Sequence, residues 1–342
     1  MQLLNTLYVT TPESYLRLDN DTLRIEVDRE TKLRVPLHHL SAVVCFGHIN
    51  LSAPLMHRLA EEGKALVLLD ANGRFKARLE GEVSGNVLLR RSHHQAIDNT
   101  AFTLELARTI VAGKLRNQRY VLQRGARDSK SDEETARLER AAQDLAASLR
   151  ALPAAPDLDT VRGIEGEAAR TYFEVFTLLV RTDQRGHFAM NGRSRRPPRD
   201  RMNALLSFLY SMWTNDCRSA IEAAGLDPQM GFLHALRPGR AALALDLVEE
   251  FRPFADRLAL TLINRGQVTA KDFTEREGGA VLLDGDARKA VVVAFQERKK
   301  EELTHPLLAE SVLLGLVPLV QARLLARHVR GEAPTYVPFS VR

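Results

Sequence analysis

Over the first 90 residues, apolar side chains either alternate with polar ones or gather in short runs. LYVTT, YLRLDN, TLRIEVD, TKLRVPL, SAVVCFG and ALVLLD are such segments, separated by Pro, Asp-Asn and Gly. Alternation, or a brief apolar run between turn residues, predicts strands. NDT and ANG are expected as tight turns. Residues 52–62, SAPLMHRLAEE, have helical spacing instead, with Ser52 placed to cap the helix and Gly63 to follow its end. GRFKARLEGEVS predicts a last strand or two.

From about residue 95 the period changes to that of a helix. AFTLELARTIVAGKLRNQRYVLQRGA predicts one long amphipathic helix. A polar break at residues 126–138 precedes DEETARLERAAQDLAASLRAL, a second helix. After the LPAAPD loop, Asp157 or Asp159 can cap GIEGEAARTYFEVF. PRDRMNALLSFLYSMWTNDCRSAIEAAGL predicts a further helix with Pro198 near its start. Leu205, Leu206, Phe208, Leu209, Met212 and Trp213 form its apolar face. GFLHALRPGRAALALDLVEEFRP, residues 231–253, reads as helical throughout. GGAVLLDGDARKA opens on a Gly-Gly turn that allows a small hairpin. The reading is an α+β chain: a β-rich domain over residues 1–92, a linker at 93–98 holding His93 and His94, and an α-helical domain over 99–342.

The chain has 342 residues, 45% of them hydrophobic, which is enough for two cored domains. No run of 18 apolar residues predicts a membrane span, and the N-terminus lacks the pattern of a signal peptide. Cys45 and Cys217 lie far apart in apolar surroundings and are expected as buried free thiols of a cytoplasmic protein. The net charge of +5 is modest, but residues 181–201 concentrate seven arginines against Asp183 and Asp200. Arg193, Arg195 and Arg196 sit in this loop, and the planar guanidinium fork suits phosphate. Without context the loop reads equally as a solvated basic segment. No Gly-rich nucleotide loop is present.

Four residues carry the candidate chemistry: Glu165, His234, Asp246 and Glu249. Taken singly, Glu165 reads as a solvated helix carboxylate and His234 as a hydrogen-bonded core histidine. Asp246 differs, because ALALDLVEEF sets it among Leu243, Leu245, Leu247 and Val248, where a carboxylate needs a partner. On a helix, Asp246 and Glu249 share a face. A histidine converging with two or three carboxylates makes a site for a hard cation, Mg²⁺ or Mn²⁺, and such a site does phosphoryl-transfer chemistry. Arg237 and Arg240, beside His234, are further phosphate contacts, with a salt bridge from Arg237 to Glu249 or Glu250 as the plainer reading. Lys271, Arg276 and Lys289 are weaker candidates. Tyr172 and Tyr210 either line the site or pack.

RGIEGEAARTYF, SRRPPRDRMNALLSFLY, GFLHALRPGRAALALDLVEEFRP and VTAKDFTEREGGAVLLDGDARKA, in this order and spacing, resemble the CRISPR-associated spacer-acquisition integrases. The resemblance covers essentially the whole chain and is strongest to the subtype I-C branch. It implies a β-rich dimerisation domain followed by an α-helical catalytic domain. It implies that Glu165, His234 and Glu249 bind the metal, with Asp246 as the neighbouring acidic residue and the division of labour with Glu250 open. It implies double-stranded DNA as substrate, both prespacer and CRISPR repeat, joined by attack of a 3′-hydroxyl. It also implies a homodimer, and a small ferredoxin-like adaptation subunit bridging two dimers. The C-terminal HVRGEAPTYVPFSVR is a candidate for that contact, against the simpler expectation that it packs on its own domain. A structure-selective metal-dependent nuclease of DNA repair shares the same residues and is the first rival. A non-catalytic nucleic-acid-binding scaffold is the second, and a metabolic enzyme is more distant.

Overall fold

The computed structural model describes residues 6–340 except Ser41, 72–74, Glu80, 82–86 and Arg195. The ANG turn and one of the predicted phosphate contacts, Arg195, therefore lie outside the described residues. The chain forms two compact units: Met1–Gly85 together with Asp284–Ala294, and Asn86–Leu283 together with Phe295–Arg342.

In the first unit, β1 (Thr6–Val9) is followed by β2 (Tyr15–Asp19), β3 (Thr22–Val27), β4 (Glu30–Pro36), β5 (Ala42–Phe46) and β6 (Asn50–Leu51). Then come α1 (Ala53–Glu61), β7 (Ala65–Leu69) and β8 (Phe75–Leu79). The strands make two sheets, ordered β1-β5-β7-β8 and β4-β3-β2-β6. The apolar run Val43–Phe46 is buried along its length, as expected of β5 pairing in parallel with both β1 and β7. The predicted NDT turn joins β2 to β3, with Asp19 opposite Thr22 and Asn20 at φ 53°. Ser52 caps α1 by accepting from the Leu55 N–H at 3.4 Å, and Gly63 follows at φ 62°. Leu16, Leu23, Val43, Leu55 and Leu59 are fully enclosed in one core.

The second unit opens with α2 (Val87–Asp98). Residues 93–98, read from sequence as linker, lie inside this helix, and His93 is buried. The long predicted helix is α3 (Thr100–Asp128), capped by the Asn99 carboxamide at 3.1 Å. Next are α4 (Asp132–Ala151) and α5 (Leu158–Phe176), the latter capped by Asp157 accepting from Thr160 N–H at 2.8 Å. A short α6 (Thr182–Arg185) leads through the arginine loop to α7 (Arg201–Ala223). That helix starts later than Pro198. Asp200 caps it at 2.7 Å, while the Pro198 carbonyl accepts from Val281 N–H at 2.9 Å.

Residues 231–253 are not one helix. Residues 231–241 are irregular, and the helical parts are α8 (Ala242–Val248) and α9 (Arg252–Asn264). The cause is local: Gly231, Pro238 and Gly239 (φ 72°) disfavour a helix, and the Asp246 carboxylate captures the backbone N–H groups of residues 232–234.

The hairpin β9 (Phe273–Arg276) and β10 (Ala280–Leu283) turns on Gly278 and Gly279, as the Gly-Gly pair allows. After α10 (Gly285–Lys299) come the hairpin β11 (Glu302–Thr304) and β12 (Ser311–Leu313), and then α11 (Val317–Val329). The C-terminal segment packs on its own unit. Gly113 of α3 lets it approach so closely that a Cβ there would fall 2.6 Å from Pro338 Cβ. Phe251 stacks between Trp213 and Phe339, with ring centroids at 5.1 and 6.2 Å, which anchors the turn between α8 and α9.

Candidate metal centre

The site is assembled on four pieces of the second unit: α3, α5, the irregular 231–241 segment and the α8–α9 turn. Asp246 is completely buried in α8, and four N–H groups converge on it. Oδ2 accepts from the backbone of Phe232 at 2.5 Å and Leu233 at 3.0 Å. Oδ1 accepts from the backbone of His234 at 2.9 Å and from its ring Nδ1 at 2.7 Å. An ionised carboxylate can only accept, so Nδ1 carries the hydrogen and Nε2 presents a lone pair. Nε2 lies 3.9 Å from Glu249 Oε1. Asp246 thus shapes the loop and sets the ring, the part a carboxylate plays behind a ligating histidine. Gly231 is required for this close approach, since a Cβ there would lie 2.8 Å from Asp246 Oδ2.

His93 supports the same loop from α2. Its Nε2 is 2.9 Å from the Met230 carbonyl, and its Nδ1 accepts from Asp227 N–H at 3.3 Å. Burial drives its pKa down to about 4, so the ring is neutral, as these two bonds require.

Glu249, at the end of α8, is 4% exposed and sits between two cations. Arg252 Nε donates to Oε1 at 2.8 Å, and the Lys114 ammonium lies 2.7 Å from Oε2. Burial opposes its ionisation, but Arg252 and Lys114 outweigh that and hold the carboxyl well below the usual carboxylate range. Lys114 also donates to Glu165 on α5. Burial likewise pushes the Lys114 ammonium towards neutrality, and Glu249 and Glu165 overcome it, so its pKa is raised. Breaking such a buried pair from one side leaves an uncompensated charge, at about 3–5 kcal/mol.

The structure therefore brings Glu165, His234 and Glu249 to one place, with Lys114 among them. Among the described residues, no three of His, Cys, Asp or Glu stand close enough to form a ready cage for a metal ion. The donor set nonetheless fits a hard divalent cation: an imidazole lone pair and two carboxylates, one of them buried. A cation, the Lys114 ammonium, already joins the two carboxylates.

Glu250 does not face this centre. It accepts from Tyr336 O–H at 2.5 Å, Gln321 Nε2 at 2.9 Å and Phe339 N–H at 2.7 Å. Burial, outweighing those donors, pushes its carboxyl up to about 7. Tyr172 and Tyr210 pack rather than line an open surface; their hydroxyls donate to Asp256 at 3.0 and 2.5 Å.

The predicted arginines divide. Arg193 is turned inward: it donates to Asn203, and its guanidinium lies 5.1 Å from the Tyr210 ring centroid and 5.4 Å from that of Phe173. Arg196 and Arg237 are exposed. Arg240 is partly buried, and its pKa is lowered by that burial and by its neighbours Arg237, Arg196 and Arg162. Four guanidinium groups are thus gathered near the His234 loop, a focus for anions. Lys271 and Arg276 are exposed around the β9–β10 hairpin, and Lys289 belongs to the first unit.

Lys114 and Arg252 escaped the sequence reading. A signal for Lys114 existed: Gly113, Lys114, Asn117 and Gln118 interrupt the apolar face of α3 formed by Ile110, Val111, Leu115, Val121 and Leu122. Polar residues on a buried helical face need partners from elsewhere in the chain.

The architecture and this acid–histidine centre define a class of two-unit, β-then-α proteins with carboxylates and arginines around one histidine. The sequence profile described as CRISPR associated protein Cas1 matches residues 7–297, and the chain belongs to the Cas1 family. It is 54% identical to the CRISPR-associated endonuclease Cas1 1 of Moorella thermoacetica, over 99% of each chain. It is 48% identical to the protein of the same description from Chlorobaculum tepidum, over 98% of each. Its fold matches that of a casposase bound to integration product, with a TM-score of 0.83 at 21% identity, covering 98% of this chain and 93% of that one. A chain of a Cas6-RT-Cas1–Cas2 complex matches with a TM-score of 0.83 at 24% identity over 99% of this chain, which spans 36% of that larger one.

The buried Asp256 gives a pH test of this region. Burial, outweighing its two tyrosine donors, raises its pKa to about 6. The native state therefore keeps a proton that the unfolded chain has lost between about pH 4 and 6. The Asp256 contribution to stability should fall as pH rises through that window, by on the order of 3 kcal/mol, and level off above it. Urea denaturation across this range should show a shallower fall for Asp256→Asn than for the unsubstituted chain.

Proposed function

We propose that this chain is a metal-dependent DNA endonuclease and integrase of CRISPR adaptation, inserting short foreign DNA fragments into a CRISPR array by 3′-hydroxyl transesterification. The observation that carries the reading is the convergence of Glu165, His234 and Glu249 beside the Arg162, Arg196, Arg237 and Arg240 group. Membership of the Cas1 family and near full-length relatives described as endonucleases support nuclease chemistry. A fold shared with a casposase bound to integration product favours strand transfer over simple hydrolysis.

In this reading Glu165, His234 and Glu249 hold Mg²⁺ or Mn²⁺. The bound cation would act as a Lewis acid at the scissile phosphate and stabilise the oxygens of an in-line displacement. Asp246 keeps the His234 hydrogen on Nδ1, so that Nε2 remains a donor of electrons. Arg252 fixes the Glu249 carboxylate by its bond to Oε1 and packs against Tyr210, 4.6 Å from the ring centroid. Arg237, Arg240 and Arg196 bind and orient the DNA backbone. Arg193, engaged with Asn203 and Tyr210, stiffens the base of that loop instead of reaching out. The subtype I-C assignment rests on the sequence resemblance, and a cytoplasmic location on the free, buried thiols of Cys45 and Cys217. No helix among the described residues is long and apolar enough to cross a membrane.

The partners follow from the need to insert two ends. We propose a homodimer through the β-rich unit, with a small ferredoxin-like adaptation subunit bridging two dimers. The fold match to a chain from a Cas1–Cas2 complex supports such a partner. The C-terminal segment is committed to its own unit through Tyr336, Pro338 and Phe339, so it is a poor choice for that contact. The full-length chain should scatter light as a dimer without DNA or metal. A monomer would place the interface elsewhere or remove it.

Strand joining tests the chemistry. With Mn²⁺, a short duplex, the adaptation subunit and a supercoiled plasmid carrying a repeat, covalent joints should form. Glu165→Gln, His234→Ala and Glu249→Gln should each abolish them, and Asp246→Asn should approach the same loss through a misplaced ring. Gln is preferred at 249 because Ala would strand Lys114 and Arg252. Near-normal joining by His234→Ala would refute the assignment; nicking without joining would favour the repair-nuclease alternative.

Replacing Arg196, Arg237 and Arg240 together by Gln should weaken DNA binding and lower the slope of log affinity against log salt by about 3, because each lost phosphate contact releases one fewer counterion. An unchanged slope would mean that these arginines are merely solvated. The same change at Arg193 alone should act on stability more than on the slope.

A further inference from the structure

We propose that Lys114 is an internal cation that competes with the divalent metal for the site and ties metal loading to DNA binding. The inference rests on the reading that Glu165, His234 and Glu249 hold that metal. The Lys114 ammonium donates to Glu165 Oε1 and lies 2.7 Å from Glu249 Oε2. These oxygens belong to the two carboxylates that a hard cation would take. An ammonium and a metal ion cannot share one position, so loading the site moves Lys114.

The burial of these groups makes the exchange consequential. The side chains of Lys114 and Glu249 are each only 4% exposed, so neither charge is left to water. With Arg252 on the other side of Glu249, two carboxylates and two cations balance locally. A divalent cation would unbalance that set by two positive charges, and a displaced ammonium needs a new anion within the reach of its flexible stem. DNA phosphate is the anion that the adjacent arginines already favour. Lys114 therefore holds Glu165 and Glu249 together before loading, and becomes a phosphate contact once metal and DNA arrive together. Its place inside α3, opposite both α5 and the α8–α9 turn, gives it a role that an exposed lysine could not have.

Lys114→Met keeps the stem and removes the charge. In calorimetric titration of the full-length protein with Mn²⁺ alone, it should bind about tenfold more tightly than the unsubstituted chain. Mn²⁺ should also raise its melting temperature by more. Lys114→Arg, which keeps a cation, should show no such gain, and Lys114→Gln carries the comparison if the Met variant does not fold. Short duplex DNA should tighten Mn²⁺ binding in the unsubstituted chain more than in Lys114→Met, because only there does phosphate accept a displaced ammonium. Equal or weaker Mn²⁺ affinity in Lys114→Met overturns the competition, and an equal DNA effect in both chains overturns the coupling. His234→Ala separates the two layers. If the unsubstituted chain binds Mn²⁺ no better than His234→Ala, the metal-site reading has failed and the inference falls with it. If it binds better while Lys114→Met gains nothing, only the inference has failed.

Discussion

A buried carboxylate must be compensated, and Glu249 is the one on which this site depends. Burial alone would protonate it; Arg252 and Lys114 keep it ionised. Meeting that requirement draws α3, α8 and α9 to one point, and Lys114 brings in α5 through Glu165. The electrostatic demand of one side chain thereby specifies how four helices of the unit meet.

The turn that bears Glu249 serves four ends in four successive residues. Glu249 faces the candidate metal centre. Glu250 faces away and binds the C-terminal segment through Tyr336 and Phe339. Phe251 inserts between Trp213 and Phe339. Arg252 returns to Glu249 and covers Tyr210. Asn117 joins two of these arrangements, donating to the carbonyls of Glu250 and Phe339 at 3.0 and 2.9 Å. The consecutive acids are therefore not interchangeable: one pairs with Lys114 and Arg252, and the other holds the tail.

Asp246 shows how a loop can be given a defined path without regular structure. It spends both oxygens on N–H groups of residues 232–234, which gives a segment with Pro238 and Gly239 a defined path. The same bonds fix which nitrogen of His234 is free. Loop shape and ring orientation come from a single carboxylate.

Much was legible from sequence. The β-rich start, the long α3, the caps at Ser52 and Asp157 and the Gly-Gly hairpin follow from short-range rules, because caps and turns are local and apolar periodicity reports burial directly. Glu165, His234, Asp246 and Glu249 could be singled out by residue type, spacing and family resemblance. The roles of these residues could not. Whether Asp246 binds or orients depends on N–H groups 12 to 14 positions away, and Lys114 meets Glu165 across 51 positions and Glu249 on another helix. The helical pattern of residues 231–253 was broken by a side chain competing for backbone donors, and Arg193, one arginine among seven in its loop, was drawn inward by two aromatic rings. The sequence determined which groups could carry charge and which faces would be buried. Only the tertiary structure decided which charges compensate one another, because that choice rests on distances between residues the chain holds far apart.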